Sequence, residues 1–277
     1  MLIYNRQTGT YIEEIEYKKE LIDFLYSTII GRILLKTVAA RPWFSKIKAK
    51  YQNSTKSHKD IAPFIKKYNI DANADDYCTF NEFFTRKKEY QTNANEKELI
   101  SIADSKLSVY PISSDLILKI KNTEYLLDEL VDKKVNLSEY KDGTCLVFRL
   151  SVNDYHRYVF FDDGVVKNNY YIKGMLHTIR PIAHNHKVFS KNCREISVLQ
   201  TKTFGDVVQI EIGAMLVGKI KNHPITEFKR LDEKGYFEYG GSTIVILLKN
   251  NIKIDSDIVN ETQVHIGERI GVLCSKD

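Results

Sequence analysis

The chain has 277 residues, of which 43% are hydrophobic and 28% are charged. This composition excludes a wholly disordered chain and allows a substantial buried core. The net charge of +5 is mild, and it suits an anionic membrane surface or nucleic acid without indicating either partner. The basic excess is concentrated between Lys18 and Lys67, which predicts a cationic N-terminal region ahead of a near-neutral body.

The cysteines and the apolar stretches indicate what kind of protein to expect. The four cysteines are far apart and lack metal-ligand spacing, so we expect reduced thiols and no bound metal. No secretory signal follows Met1. The most apolar stretch, residues 24–35, contains Arg32 and is shorter than the roughly 20 residues that cross a bilayer. We therefore expect neither a secreted protein nor a transmembrane helix.

The first predicted elements are helices, within residues 18–90. Between Lys18 and Thr37, apolar residues recur at three- and four-residue spacings, which predicts one amphipathic helix. Pro42 disfavours helical geometry at the residue before it, and Ser45 is predicted to cap the next segment. Two further helices are expected around residues 60–68 and 80–88.

The character of the chain changes after a polar stretch at residues 89–99, which is typical of a linker. From Ile100 onward, short β-branched and aromatic runs are broken by Gly, Asn and Asp, as in antiparallel β structure. These runs are 100–104, 116–120, 145–152, 158–161, 207–212, 243–248 and 270–274. The expected fold class is therefore α+β, with a helical N-terminal region at 1–90 and a mostly antiparallel β-rich domain at 91–277.

One short segment could carry chemistry. Gly240-Gly241-Ser242-Thr243 precedes an apolar run, and by itself it is equally typical of a turn before a core strand. In a chemical interpretation, Gly241 leaves its carbonyl open to attack by the Ser242 hydroxyl. Such an attack needs a base and a group that orients the base. His156 could be the base and Asp104 the orienting group, since both lie at the ends of predicted strands. Many chains contain such a Ser/His/Asp set by chance.

The segment 235–243 also resembles the processing site of the phosphatidylserine decarboxylase family, in which the chain cuts itself between Gly and Ser. Further blocks occur in the family's order, so the resemblance extends from about Tyr4 to Gly271. They are Phe80-Asn81-Glu82-Phe83-Phe84-Thr85-Arg86, Ala103-Asp104, Leu150-Ser151-Val152-Asn153-Asp154-Tyr155-His156-Arg157 and Gly213-Ala214-Met215-Leu216-Val217-Gly218-Lys219-Ile220.

The resemblance implies a relay of Asp104, His156 and Ser242 that cuts the Gly241–Ser242 bond. The products would be a β chain, 1–241, and an α chain, 242–277, which starts with a pyruvoyl group made from Ser242 and stays associated with the β chain. This covalent cofactor would decarboxylate phosphatidylserine to phosphatidylethanolamine through a Schiff base, without metal or nucleic acid.

Two positions depart from the family pattern. Ser105 follows the relay Asp where many members have Gly, and Val159 stands where many have a second histidine. The proton donor for decarboxylation is therefore open. His177 lies in a segment that resembles the family's pocket wall and is a candidate for the pocket, whereas we assign His58, His184, His186, His223 and His265 no functional role.

Residues 18–51 combine an amphipathic helix with a cluster of aromatic and basic residues. Such a segment suits the headgroup depth of a membrane, although core packing is the simpler role for the helix. We expect this region to bind an anionic membrane surface, which would place the enzyme peripherally on the cytoplasmic side of the cell membrane.

Two alternatives remain open on the residues alone. The pyruvoyl chemistry could act on an archaetidylserine-like ether lipid or on a soluble amino acid, although the amphipathic N-terminal region argues against a soluble substrate. A β-rich carrier or binding module without self-cleavage is the other alternative, but no convincing lysine at a hairpin tip is present to be modified.

Overall fold

The computed structural model describes residues 1–15, 18–120, 123–178, 187–215, 219–238, 240, 242–249 and 252–274. The strands are β1 (Leu2–Asn5), β2 (Thr10–Glu13), β3 (Glu98–Ile100), β4 (Ser105–Pro111), β5 (Ile117–Ile120), β6 (Thr123–Leu126), β7 (Thr144–Leu150), β8 (Arg157–Val159), β9 (Gly164–Ile172), β10 (Arg194–Thr201), β11 (Gly205–Gly213), β12 (Ile220–Asn222), β13 (Glu227–Phe228), β14 (Glu233–Phe237), β15 (Ser242–Leu248), β16 (Ile252–Ile254), β17 (Thr262–Val264) and β18 (Arg269–Leu273). The α-helices are α1 (Lys19–Ser27), α2 (Ile29–Leu34), α3 (Pro42–Gln52), α4 (Ile61–Tyr68), α5 (Phe80–Phe84), α6 (Leu127–Leu130) and α7 (Val188–Lys191). A π-helical turn covers Leu35–Ala39, and 3₁₀ turns cover Thr55–Asp60, Ala74–Asp76 and Ser138–Tyr140.

A large sheet organises the β-rich part in the order β13-β9-β10-β11-β15-β7-β4-β17-β1-β2. Its neighbouring strands are antiparallel, except that β1 runs parallel to β17. Strand β15 lies near the middle, and every residue from Ser242 to Leu248 is buried. Burial of both faces explains why this strand is a continuous apolar run rather than an alternating one.

The two faces of this sheet support separate apolar cores. Alternation along β15 places Val245 and Leu247 in one core, with Leu25 and Tyr26 of α1. The other core contains the alternate β15 residues, together with residues of two smaller sheets, β12-β14-β8 and β16-β18-β3. Helix α1, the π-helical turn and the β5–β6 hairpin therefore pack on one face of the sheet, while the other two small sheets cover the opposite face.

The structure confirms the α+β class and the mostly antiparallel sheet. The first residues, however, form the hairpin β1–β2 at the edge of the large sheet, which the sequence patterns did not indicate. Since an isolated four-residue strand has little periodicity, its pairing with β17 is decided by tertiary contacts.

The single helix predicted between Lys18 and Thr37 is wrong in detail. It is interrupted at Thr28, whose extended backbone separates α1 from α2 and whose hydroxyl accepts a hydrogen bond from the N–H of Gly31. The next helix begins at Pro42, so Ser45 lies inside it rather than at its cap. The helix expected over 80–88 ends at Phe84. None of the helices in the described ranges is long and apolar enough to span a membrane.

Candidate active site

Ser242 is the first residue of β15, at one end of the large sheet. It lies directly opposite Gly213 of β11 and Leu150 of β7, and it is completely buried. Because side chains alternate along a strand, the Ser242 hydroxyl shares a face with Ile244, while Thr243 lies on the opposite face. The residue at 241 is outside the described residues, so the predicted scissile bond is located only through Gly240 and Ser242.

His156 immediately precedes β8, in the small sheet that covers the Ser242 face. It is completely buried, and its Nδ1 lies 2.8 Å from the carbonyl oxygen of Asp154. On α5, the ring of Phe84 packs against the imidazole with ring centroids 4.3 Å apart. The aromatic block at residues 80–84 thus packs in its own core and also forms one wall of the histidine site.

Ser242 and His156 share a feature that the hydroxyl of Thr243 also shows. The Oγ of Ser242 and the Nε2 of His156 are both buried without a hydrogen-bond partner in the described part of the chain. Buried polar atoms are normally paired, and exceptions often occur where chemistry takes place. The backbone of Gly240 lies close enough to His156 to favour its protonated form. Gly240 is two positions before Ser242 in the chain, so the histidine lies near the segment that would be cut.

The protonation of His156 follows from its surroundings. Burial lowers the pKa of His156 to about 3, an effect that the backbones of Asp154 and Gly240 oppose. The ring is therefore neutral at neutral pH. A neutral ring carries one N–H, and Nδ1 must donate it to the Asp154 carbonyl, which can only accept. The unpaired Nε2 is then the basic nitrogen, as a general base requires.

The loop that carries His156 is anchored by charges on the opposite face of the sheet. The Asp154 carboxylate accepts hydrogen bonds from Lys106 Nζ at 2.6 and 2.7 Å and from the Ser151 N–H at 2.7 Å. Nearby, Glu14 accepts a hydrogen bond from Arg149 Nη2 at 3.0 Å. Although burial acts in the other direction, the charges of Arg149 and Lys106 lower the pKa of Glu14 to about 2. This network fixes the backbone that holds the His156 ring.

Asp104 lies near the same end of the sheet, but its contacts differ from those of the relay inferred from the family. Its Oδ1 accepts a hydrogen bond from the Ile266 N–H at 2.9 Å and lies 3.7 Å from His265 Nδ1. Its Oδ2 lies 3.8 Å from Lys88 Nζ. Among the described contacts, no hydrogen bond or ion pair joins Asp104 to His156, so the orientation of His156 by Asp104 stays a prediction.

His177 lies on the other side of Ser242. The amide of Asn192, which is completely buried, donates to the carbonyl oxygens of His177 at 2.9 Å and of Gly213 at 2.8 Å. Since Gly213 is the β11 partner of Ser242, Asn192 links the His177 backbone to the strand beside the serine. The His177 ring contacts Tyr26 of α1, with the Tyr26 hydroxyl 3.1 Å from Nδ1.

Sequence reasoning missed Asn192 and the partnership of Asp104 with His265. Asn192 lies in a short polar run without a motif, and nothing in the sequence marks its three hydrogen bonds. His265 is separated from Asp104 by 161 residues in the chain. The two become neighbours because β17 pairs with β4, a long-range contact that local patterns do not encode.

Comparisons with known proteins identify the family to which the chain is similar. The family model for phosphatidylserine decarboxylase matches residues 80–272. Phosphatidylserine decarboxylase proenzyme 2 of Clostridium acetobutylicum is 50% identical, with 97% of each chain covered. Phosphatidylserine decarboxylase proenzymes of Clostridium botulinum and Desulfitobacterium hafniense are 39% and 37% identical, with 97% of this chain covered in each case.

These relatives and the family model define the class of the protein as a decarboxylase. The chain belongs to the phosphatidylserine decarboxylase family. The resemblance found in the sequence motifs is thereby confirmed.

Proposed function

We propose that this chain is a self-processing enzyme that decarboxylates phosphatidylserine to phosphatidylethanolamine, using a pyruvoyl group made from Ser242. The observation that carries the proposal is the pair of unpaired buried atoms, Ser242 Oγ and His156 Nε2, beside the Gly240 backbone. A serine that serves only packing would gain from a hydrogen bond, whereas a nucleophile needs its hydroxyl available to a base.

The processing chemistry starts from this arrangement. The neutral His156 takes the proton of the Ser242 hydroxyl, which attacks the carbonyl carbon of residue 241 and converts the peptide bond into an ester. Elimination then transfers the Cα proton of residue 242 to a base and breaks the bond between Cβ and the ester oxygen, leaving residue 241 as a carboxylate. The dehydroalanine at position 242 takes up water and releases ammonia, which yields the pyruvoyl group.

In catalysis, a pyruvoyl group at position 242 would supply the carbonyl for a Schiff base with the substrate amine and an electron sink for decarboxylation. The chain's residues exclude bulk water and supply protons around it. His156, completely buried against Phe84, holds its proton-accepting Nε2 inside the protein. His177, tied to the β11 partner of Ser242 through Asn192, is our candidate for the pocket wall.

The topology supports a stable complex of the two products. Strand β15, which would begin the α chain, is hydrogen-bonded to β11 on one side and to β7 on the other. Both neighbours belong to the β chain. Cutting ahead of Ser242 therefore leaves the sheet ladder of β15 in place, and β17 and β18 also pair with strands of the β chain. We therefore expect the α and β chains to remain associated.

We further propose that residues 18–51 bind an anionic membrane surface, on the cytoplasmic side of the cell membrane. In this region Ile29 and Ile30 are each 72% exposed and Ile47 is 62% exposed. Lys and Arg side chains, among them Lys36 and Lys46, are interspersed with these apolar groups. An exposed apolar surface rimmed with cations suits the boundary between acyl chains and anionic headgroups.

Intact mass under denaturing conditions tests the processing. We expect the wild-type chain to give two products, 1–241 and 242–277, the smaller blocked at its N-terminus by the pyruvoyl group. Ser242→Ala should remain a single full-length chain without decarboxylase activity. The matched control is Thr243→Val, which removes the neighbouring hydroxyl on the opposite face and should still be cut. An active wild-type enzyme of undivided mass contradicts the proposal.

His156→Ala tests the base. Loss of a positioned general base should slow the cut by about 10²–10⁴-fold, and added imidazole should restore part of the rate by entering the vacated space. His58→Ala, in the turn Thr55–Asp60, is the control. Normal processing of His156→Ala removes the histidine from the mechanism.

Substrate choice requires a separate assay. Vesicles of diacyl phosphatidylserine, vesicles of a diether serine lipid and free serine should be compared with processed enzyme. We expect turnover of the diacyl lipid. Turnover of the diether lipid alone favours an archaetidylserine-like substrate, and turnover of free serine alone contradicts a lipid substrate.

A further inference from the structure

His265 occupies a position that the proposed chemistry does not yet use. It follows β17 directly, and its Nδ1 lies 3.7 Å from Oδ1 of Asp104, an ion-pair distance. The same Oδ1 accepts the Ile266 N–H at 2.9 Å. Asp104 is thus held on one side by the chain segment that carries His265, and the only other cation paired with it in the described structure is Lys88, at 3.8 Å.

The sheet register places this pair near Ser242. Val264 of β17 pairs with Ser105 of β4, and Leu150 of β7 pairs with Ser242. The β4–β7 register, in which Lys106 faces Arg149, brings Ser105 opposite Leu150 when it is extended by one residue. Neighbouring strands are about 4.8 Å apart, so the Asp104 backbone lies on the order of 10 Å from Ser242, two strands away. His265 lies one strand further out.

We propose that His265 is a positioning residue of the active site, whose protonated ring keeps the Asp104 carboxylate ionised and oriented at the Ser242 end of the sheet. This inference rests on the proposed self-processing function. His265 would be a second histidine close to the site. Val159, the residue that stands where many relatives have a second histidine, is buried in β8 and has no ionisable group. His265 acts through Asp104 and does not itself reach Ser242.

A cleft of about 280 Å³ joins this pair to the loop that carries His156. Its lining includes Asp104, His265 and residues 153–155. The His265 side chain is 52% exposed, so its ring exchanges protons with solvent, whereas His156 is completely buried. The pair therefore places a solvent-exposed titratable group in a cleft beside the loop that carries the buried His156.

The charges around His265 favour its protonated form. Contact with Asp104 raises the pKa of His265 above its ordinary value of 6.5, and burial only partly offsets this effect. Glu268 and Asp154 act in the same direction as Asp104. The cations of the cleft, Arg86 and Lys88, and the further carboxylate Asp71 also line it. In return, although burial opposes it, His265 and the Ile266 N–H lower the pKa of Asp104.

The decisive experiment follows self-cleavage of freshly translated full-length chains over pH about 6 to 9, by denaturing mass measurement. His265→Gln should slow cleavage by about tenfold, which corresponds to about 1.4 kcal/mol of lost interaction with Asp104. In the wild type, the rate should fall as pH rises through the raised pKa of His265. His265→Lys keeps a positive charge and should remove this fall from the neutral range.

The matched control is His223→Gln, because His223 is also a half-exposed histidine paired with a carboxylate, Glu233, at 2.6 Å. It should cleave at the wild-type rate. If His265→Gln also cleaves at the wild-type rate with an unchanged pH profile, the role of His265 is overturned while self-processing stands. If the wild type never cleaves, the proposed function fails, and this inference fails with it.

A second measurement checks the pair without any cleavage. In the uncut Ser242→Ala chain, NMR titration should give a His265 pKa above 6.5. Adding Asp104→Asn should lower it toward the ordinary value, because contact with Asp104 is the largest influence that raises it. An identical His265 pKa in both chains overturns the ion pair on which the proposal depends.

Discussion

The imidazole ring of His156 packs against the phenyl ring of Phe84, with centroids 4.3 Å apart and planes tilted by 38°. Through this contact, a short helix from the N-terminal region closes the buried site of a strand-end histidine. The contact explains why the aromatic block at 80–84 and the histidine occur together: the ring excludes water from the base and so keeps it neutral.

Phe84→Leu should raise the pKa of His156 from about 3 toward 6.5, because the smaller side chain admits water to the ring. Processing should slow as the base becomes less well placed. NMR titration of His156 in the Ser242→Ala background measures the first effect, and the rate of appearance of the small chain measures the second. Phe83→Leu is the control, because Phe83 is equally buried in α5 and packs on Phe64 and Tyr77. If both substitutions have equal effects, Phe84 contributes only to the packing of α5 and has no specific effect on His156.

Gly240→Ala should slow self-cleavage. Gly240 has a φ of 135°, a conformation that only glycine adopts readily. A side chain there strains the backbone two residues before Ser242 and shifts the carbonyl that the serine attacks. Gly205→Ala is matched to it, since Gly205 also has a positive φ, 72°, with open space around it, in the hairpin between β10 and β11. Both should lose about 1 kcal/mol of stability. The prediction fails if the two variants process at the same rate.

Acid should destabilise the unprocessed chain through His156. Its pKa is about 3 when folded and near 6.5 in the unfolded chain, so below pH 6.5 the unfolded state binds one more proton. The free energy of unfolding should therefore fall by about 1.4 kcal/mol per pH unit from this group as pH decreases from 6.5. Denaturant unfolding of Ser242→Ala should be compared with Ser242→Ala/His156→Phe, which lacks this part of the slope. Parallel pH dependences in both chains would show that His156 is not buried as a neutral ring.

Membrane binding should depend on the exposed apolar residues of α2. Ile29→Ser/Ile30→Ser removes two side chains that are each 72% exposed, and burial of each in a bilayer contributes about 1.5–3 kcal/mol. The affinity for vesicles containing anionic lipid, measured by co-sedimentation, should fall by about 100-fold or more. The control, Leu2→Ser/Tyr11→Ser, removes residues that are 62% and 59% exposed on the edge hairpin. It should bind as the wild type does. If both double variants lose the same affinity, residues 18–51 are not the docking surface.

The sequence determined the class of fold and the family of this protein. β-Branched runs after Ile100 indicated an antiparallel β-rich body because period and propensity are local properties of a strand. The segment 235–243 resembled the family, with further blocks at 80–86, 103–104, 150–157 and 213–220 in the family's order. The comparisons confirmed that membership.

Only the tertiary structure decided which of these residues touch. It placed Asp104 against His265 rather than His156, and it put Phe84 on the imidazole. It also left Ser242 Oγ and His156 Nε2 without partners in the described residues. These relationships depend on strand register and on the packing of distant segments, whose free energy comes from contacts that no local pattern contains. Burial, and with it the neutral state of His156, is likewise a property of the assembled core.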